Sequence, residues 1–389
     1  MKSPIVVVVG TRPDAIKLLP VYAALKQQRI PTLLCATHQH VQMLDQVLQL
    51  FNTTPDMSLN VMVAGQSLAH VTAAVLQRIH SFYEEVRPAL VVVQGDTTTS
   101  FAAALAAFYQ GIPVAHIEAG LRTYDKQSPF PEELNRTTIA QLAQYHFAPT
   151  PLNVAALLQE GVAHNKIYCV GNTVVDALQH VQKLLRSGEV TISPQLQVLL
   201  DRAAAERKKI VLVTTHRRES FGSGLLAIMQ AIKFLAEEYP DHLFILPMHL
   251  NPVVRSAIDA THLQDIAGVV CVEPLPYHEL VTVLERAVLV MTDSGGIQEE
   301  AACLGRKVVV MREKTERVEL LWDGMGVLSG TALENIIQAA RIILQQQGPH
   351  KYCHVYGDGQ ASQRIVAQLK QSLLGAATFK EHSIGDLPV

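Results

Sequence analysis

Ala89-Leu90-Val91-Val92-Val93-Gln94-Gly95-Asp96-Thr97-Thr98-Thr99 is an apolar, largely β-branched run that stops at a glycine and a carboxylate. An alanine-rich helical segment follows from Ser100 to Tyr109, and a second apolar run, Ile112 to Ile117, stops at Glu118-Ala119-Gly120-Leu121-Arg122. Next comes a proline-punctuated stretch, Ser128 to Arg136, which reads as a loop carrying Glu133. Strand, carboxylate, helix, strand, carboxylate is the pattern of an open parallel sheet, whose ligands lie just past the carboxyl ends of its strands. Asp96 and Glu118 are then expected side by side on one rim, with Glu133 brought in by the loop and Arg122 and Arg136 beside them. Acids gathered next to fixed cations point to proton transfer on an anionic substrate.

Upstream, Ile5 to Val9 reads as a buried parallel strand that turns at Gly10-Thr11-Arg12-Pro13 into an amphipathic helix. Pro13 suits a first helical turn. That helix start, with Arg12 and Lys17 beside it, is a place for a phosphate or a carboxylate. No Gly-x-Gly-x-x-Gly fingerprint follows the strand, so a dinucleotide is not expected. Thr32 to Ala36 is a second strand, ending in Thr37-His38-Gln39-His40, histidines without metal-ligand support nearby. Residues 55–64 read as loop, and Tyr145 to Ala148 and Ile167 to Val170 as further strands, giving six in the first half. A doubly wound parallel α/β sheet is the simplest fold for them.

Past a polar helical passage, 182–209, the pattern restarts with strands at Lys209 to Thr214, Leu243 to Leu246, Val269 to Val272, Ala287 to Met291 and Val308 to Met311. Polar residues again collect after the strands: Thr215-His216-Arg217-Arg218-Glu219, and Thr292-Asp293-Ser294-Gly295-Gly296-Ile297-Gln298-Glu299-Glu300. Ser294-Gly295-Gly296 opens a helix and offers uncrowded N–H groups to a diphosphate, with Glu300 spaced to reach a ribose hydroxyl pair. The chain is therefore expected to form two Rossmann-like domains facing a cleft: residues 1–175 carrying the carboxylates and residues 176–359 binding the nucleotide. The helix within 360–389 is expected to pack back on the first domain, its end loosely held.

Composition narrows the function. With 49% hydrophobic and 17% charged residues in 389, the chain is a compact folded protein, not a disordered one. A net charge of −3 argues against a general nucleic-acid binder. Five scattered cysteines, none in a C-x-x-C pair, read as reduced thiols. The apolar run at Ile5–Val9 is too short for a signal peptide, and no run approaches a membrane span. A cytoplasmic protein with no membrane partner, metal or cofactor is expected.

Taken together, the motifs resemble those of the non-hydrolysing UDP-N-acetylglucosamine 2-epimerases, enzymes of GT-B-like fold. The residues that carry the resemblance run from Gly10-Thr11-Arg12-Pro13 to Gly357-Asp358-Gly359. Between them lie Gln94-Gly95-Asp96-Thr97, His116-Ile117-Glu118-Ala119-Gly120-Leu121-Arg122, Pro131-Glu132-Glu133-Leu134-Asn135-Arg136, Val170-Gly171-Asn172-Thr173, Thr215-His216-Arg217-Arg218-Glu219 and Asp293 to Glu300. The resemblance implies inversion at carbon 2 of UDP-GlcNAc to give UDP-ManNAc, through elimination of UDP to a glycal and re-addition. By the same resemblance Asp96, Glu118, Glu133 and His216 are catalytic. Arg12, Lys17, Arg122, Arg136, Ser294, Gly295, Gly296 and Glu300 bind substrate. Positions matching an activator site for a second UDP-GlcNAc are Gln39, Gln42, Gln66, Arg217 and His249. Val41 and Gly65 stand where activated members carry arginine, so activation is in question here. Trp322-Asp323-Gly324-Met325 replaces smaller residues, which leaves the sugar nucleotide less fixed than the reaction. A homodimer is implied by the family alone. The alternatives are a hydrolysing epimerase, a GT-B glycosyltransferase, an epimerase of a modified UDP-HexNAc, or a silent sugar-nucleotide sensor. A sensor is expected to have lost an acid, and none is lost.

Overall fold

The computed structural model describes residues 3–37, 41–62, 66–346 and 354–381. The first half comprises β1 (Ile5–Val9), α1 (Arg12–Gln27), β2 (Thr32–Ala36), α2 (Val41–Leu50), β3 (Met57–Ser58), α3 (Leu68–Val86), β4 (Leu90–Gln94), α4 (Thr98–Tyr109), β5 (Val114–Ile117), α5 (Glu132–Leu142), β6 (Tyr145–Ala148), α6 (Pro151–Gln159), β7 (Ile167–Cys169) and α7 (Thr173–Ser187). The second comprises α8 (Pro194–Ala205), β8 (Lys209–Thr214), α9 (Ser223–Glu238), β9 (His242–Pro247), α10 (Pro252–Ala260), β10 (Val269–Val272), α11 (Tyr277–Arg286), β11 (Ala287–Thr292), α12 (Gly295–Cys303), β12 (Lys307–Val310), α13 (Val318–Trp322), β13 (Gly326–Leu328), α14 (Leu333–Gln345) and α15 (Ala361–Glu381).

Two parallel sheets form the α/β frame. Their strand orders are β3-β2-β1-β4-β5-β6-β7 and β10-β9-β8-β11-β12-β13. The central strands are largely hydrophobic because helices cover both faces: every residue of β1 and β4 is buried. Each fully buried valine in them contributes about 1.5–3 kcal/mol of hydrophobic stabilisation. In each sheet the order reverses once, between β1 and β4 and between β8 and β11. The ends of these four strands define two ligand crevices. One core cluster runs from Leu18 and Leu25 of α1 through Val174 and Leu178 of α7 to Tyr277 and Val281 of α11, so the two halves share packing.

Four details depart from expectation. Met57–Ser58 and Gly326–Leu328 add an edge strand to each sheet. Two or three residues carry no readable periodicity, and a loop was expected at the first of them. Residues 132–142 are helical, not the tail of a loop, because Pro131 sits at the N-cap and Glu132 and Glu133 in the first turn favour the helix dipole. The boundary expected at residue 175 falls inside α7, whose Ala177, Leu178 and Val181 pack with α1; the chain leaves this layer after Gly188, the left-handed C-cap. Finally, α15 stays helical as far as Glu381, into the part expected to be loosely held; it lies against α1 and α7.

Candidate active site

The switch point of the first sheet presents Gly10-Thr11-Arg12 after β1 and Gly95-Asp96 after β4; that of the second presents Thr215-His216 after β8 and Asp293-Ser294 after β11. Side chains from the two halves meet between them. Arg12 Nη1 donates to the Leu275 carbonyl at 3.1 Å, Lys17 Nζ lies 2.8 Å from Glu299 Oε2, and Lys314 Nζ donates to Asp125 at 2.7 Å. Thr150 Oγ1 donates to Glu319 at 2.5 Å.

Glu118 follows β5 with φ of +63°, a left-handed conformation that costs a glutamate energy and is held by the Ala119 N–H bonded to Phe147 O. Its buried carboxylate accepts from Gln94 and Lys17, and Arg317 stands 3.6 Å away. Burial pushes the Glu118 carboxyl up, against the pull of Lys17. Glu299 shares the same lysine; burial opposes its charge too, but Lys17 and Arg317 together hold it below the usual range. Asp96 is partly exposed and ion-paired to Arg136, while Asn135 Nδ2 donates to its backbone carbonyl at 2.8 Å.

The third expected carboxylate, Glu133, is buried and already engaged: its oxygens accept from the Thr123 N–H at 3.1 Å and the Tyr124 N–H at 2.9 Å, with Arg136 3.4 Å away. Its neighbour Glu132 faces the cleft. Burial, with Asp96 nearby, pushes the Glu132 carboxyl up; Arg217, 3.5 Å away, pulls the other way. Its Oε2 is buried and has no hydrogen-bond partner among the described residues. Successive residues of a helix point about 100° apart, so once residues 132–142 are helical Glu132 and Glu133 emerge on different sides, Glu132 toward Arg217 and Glu133 toward the Thr123 and Tyr124 N–H groups.

His216 stacks on His249 with ring centroids 5.5 Å apart, and its Nδ1 lies 3.2 Å from Asp293 Oδ1. Asp293 is fully buried and accepts from Thr215 Oγ1 at 2.9 Å, the His216 N–H at 2.8 Å and the Arg217 N–H at 2.9 Å. Burial works against its charge, yet His216 and these donors hold it at about 2. Asp293 thus fixes the loop and the ring, a role not foreseen for it.

The turn 294–296 caps α12 as expected, but its glycines differ. A Cβ on Gly295 would come 2.5 Å from the Arg317 guanidinium, so this glycine makes room for Arg317. A Cβ on Gly296 would meet nothing within 4 Å, and Gly296 is the one that leaves its side of the turn open. On the next turn burial raises the Glu300 carboxyl to about 7, despite Tyr277 and Arg12.

Arg122 borders the groove between the halves but is held by Glu160. Its Nε and Nη2 both donate to Glu160 at 2.6 Å, a bidentate grip that turns the guanidinium toward the end of α6. Arg136 is buried against Asp96, Glu133 and Glu316 and orients acids. Gln39 and Gly65 lie outside the described residues, as do the side chains of Val41 and Gln42. Gln66 Nε2 lies 3.3 Å from Met62 Sδ, and Arg217 and His249 stand beside His216. Trp322 is 72% exposed and, with Tyr124 and Leu321, lines a groove of about 430 Å³ between the halves. Among the described residues no three His, Cys, Asp or Glu side chains gather as metal ligands, and no helix is long and apolar enough to cross a membrane.

Known proteins bear on this geometry. A sequence model of the family described as UDP-N-acetylglucosamine 2-epimerase matches residues 23–370. UDP-N-acetylglucosamine 2-epimerase of Escherichia coli O157:H7 is 43% identical over 373 residues, covering 95% of this chain and 98% of that protein. Among solved structures, UDP-GlcNAc 2-epimerase from Neisseria meningitidis bound to UDP-GlcNAc superposes with a TM-score of 0.88 at 40% identity, over 95% of this chain and all (100%) of that one. The Methanocaldococcus jannaschii enzyme in complex with UDP-GlcNAc and UDP gives 0.83 at 32%, over 95% and 99%. A family match over most of the chain, and likeness to these proteins from end to end in sequence and in fold, settle its place: the chain belongs to the UDP-N-acetylglucosamine 2-epimerase family.

Proposed function

We propose that the protein interconverts UDP-N-acetylglucosamine and UDP-N-acetylmannosamine by inverting carbon 2. The observation that carries this reading is the convergence of Asp96, Glu118 and Glu132 on one rim, opposite the α12 N-terminus and His216. The carbon-2 proton is not acidic, so its removal needs a held base and a leaving group whose charge is stabilised. One carboxylate takes the proton, the carbon–oxygen bond at carbon 1 breaks with its electron pair going to UDP, and a carbon 1–carbon 2 double bond forms. UDP re-adds after a proton is returned to the other face. Ser294, the open Gly296 turn, Arg12 and His216 receive the diphosphate, and Glu300 the ribose. The acids act as a coupled set, so the two proton roles belong to the cluster. Ties across the cleft at Arg12, Lys17 and Lys314 help keep water from the glycal.

A cytoplasmic homodimer accompanies this reading, from the family resemblance; exposed Phe108 and Tyr109 at the end of α4 suit a subunit contact. Ion-exchange separation of nucleotide products tests the function. UDP-GlcNAc is expected to equilibrate with UDP-ManNAc while free UDP stays at trace level. Free UDP accumulating together with free ManNAc would move the protein to the hydrolysing class.

A further inference from the structure

A buried row of alternating charges connects the two halves behind the rim. Asp96 pairs with Arg136, and Arg136 Nη2 lies 3.7 Å from Glu316 Oε1. Glu316 Oε2 accepts from Arg312 Nη1 at 3.0 Å, and Arg312 Nε donates to Glu219 at 2.6 Å. Glu219 belongs to the single turn Arg218–Ser220, directly after His216 and Arg217. The row thus begins at an acid after β4 and ends at the loop carrying the imidazole.

We propose that Glu316 and Arg312 are positioning residues that set the Asp96 carboxylate and the His216 loop relative to each other across the domain cleft. The proposal rests on the functional reading only in taking those two groups to face one substrate. The side chains of Arg312 and Glu316 are 0% and 1% exposed, and Arg317 also grips Glu316. Taking such charges out of water costs several kcal/mol per ion, and apolar residues often replace buried pairs without loss of stability. Arg312 Nη2 and Arg136 Nε, moreover, are buried with no acceptor among the described residues. A row so placed is a poor source of stability and a strong constraint on geometry. Arginine matters at position 312 because its planar fork fixes the angle between two carboxylates on different segments; a lysine ammonium keeps the charge but not that angle.

The test uses Arg312→Lys and Glu219→Gln in the full chain, with thermal unfolding, steady-state kinetics and amide hydrogen exchange. Both variants are expected to unfold near the parent temperature. Arg312→Lys is expected to lower kcat by about ten-fold and change KM by less than about two-fold, the pattern of geometry lost in the transition state. The double variant is expected to be no slower than Arg312→Lys, because both act on one row. In each, exchange is expected to quicken at 216–220 and also at 132–137, the start of α5, which Glu219 does not touch. Change confined to 216–220 with kcat unaltered would overturn the proposal. If Arg312→Lys does not fold, Glu219→Gln decides alone, since its side chain is 29% exposed. If the parent does not epimerise UDP-GlcNAc, the functional reading fails, while the exchange pattern still decides the coupling.

Discussion

Replacing Glu132 or Glu133 by glutamine separates a reacting carboxylate from a structural one. Burial and Asp96 already push the Glu132 carboxyl toward its neutral form, so a neutral isostere there costs the fold little. Loss of a group that moves a proton typically lowers kcat by about 10²–10⁴-fold. Glu133 is the reverse case. Its carboxylate satisfies the N–H groups of Thr123 and Tyr124 and pairs with buried Arg136. Hydrogen bonds to a charged group contribute about 1.5–3 kcal/mol each, and glutamine keeps one acceptor oxygen, so the loss is about 3 kcal/mol. With an unfolding entropy of about 2 cal/mol/K per residue over 389 residues, that lowers Tm by about 4 °C. Glu132→Gln should therefore be stable and nearly inactive, and Glu133→Gln less stable but active while folded. Kinetics of UDP-GlcNAc conversion and thermal unfolding read the two axes separately. A Glu132→Gln enzyme within about three-fold of parent kcat, beside a stable and inactive Glu133→Gln, would refute the assignment of roles.

Two buried acids should make stability depend on pH with opposite signs. Asp293 is held at about 2, below its ordinary 3.8, so its contribution of about 2 kcal/mol is complete above pH 4 and is lost as pH falls toward 2. Denaturant unfolding of Asp293→Asn against the parent measures this; a gap that stays constant from pH 5 to about 2 would contradict it. Glu300 is raised from 4.5 to about 7, so the folded state keeps a proton that the unfolded chain releases, and stability falls as pH rises between those values. Glu300→Gln should escape that fall and gain about 3 kcal/mol on the parent between pH 4 and pH 8, while losing affinity for UDP in calorimetry. At the diphosphate turn, Gly295→Ala should displace Arg317 and lower both Tm and kcat, whereas Gly296→Ala should unfold with the parent. Equal stability of the two alanine variants would remove the stated reason for Gly295.

Both sheets were legible because their central strands are buried on both faces and read as unbroken β-branched runs, as at Ile5–Val9 and Leu90–Gln94. The edge strands were not, since two or three residues hold no period. Asp96, Glu118, His216 and the 294–296 turn could be placed because each follows directly on a strand, and strand ends fix where a side chain emerges. The choice between Glu132 and Glu133 depended on phase, and two prolines had suggested a loop where a helix begins. In Arg312-Glu313-Lys314-Thr315-Glu316-Arg317, which follows β12, Arg312, Glu316 and Arg317 are buried while Glu313 and Lys314 are exposed. Besides the contacts of Glu316 with Arg312 and Arg317 inside the stretch, their partners are Glu219, Arg136, Glu299 and Glu118, distant in sequence, so the stretch alone does not tell which side chains are buried. The pairing of Arg122 with Glu160 was not readable for the same reason, Glu160 lying at the end of α6.

The most direct test of the central claim is proton NMR of UDP-GlcNAc incubated with the enzyme in heavy water. Removal and return of the carbon-2 proton by the acid cluster predicts UDP-ManNAc carrying deuterium at carbon 2, with label entering UDP-GlcNAc as the reaction reverses. Conversion with the original hydrogen retained at carbon 2, or no exchange into either sugar nucleotide, would contradict it.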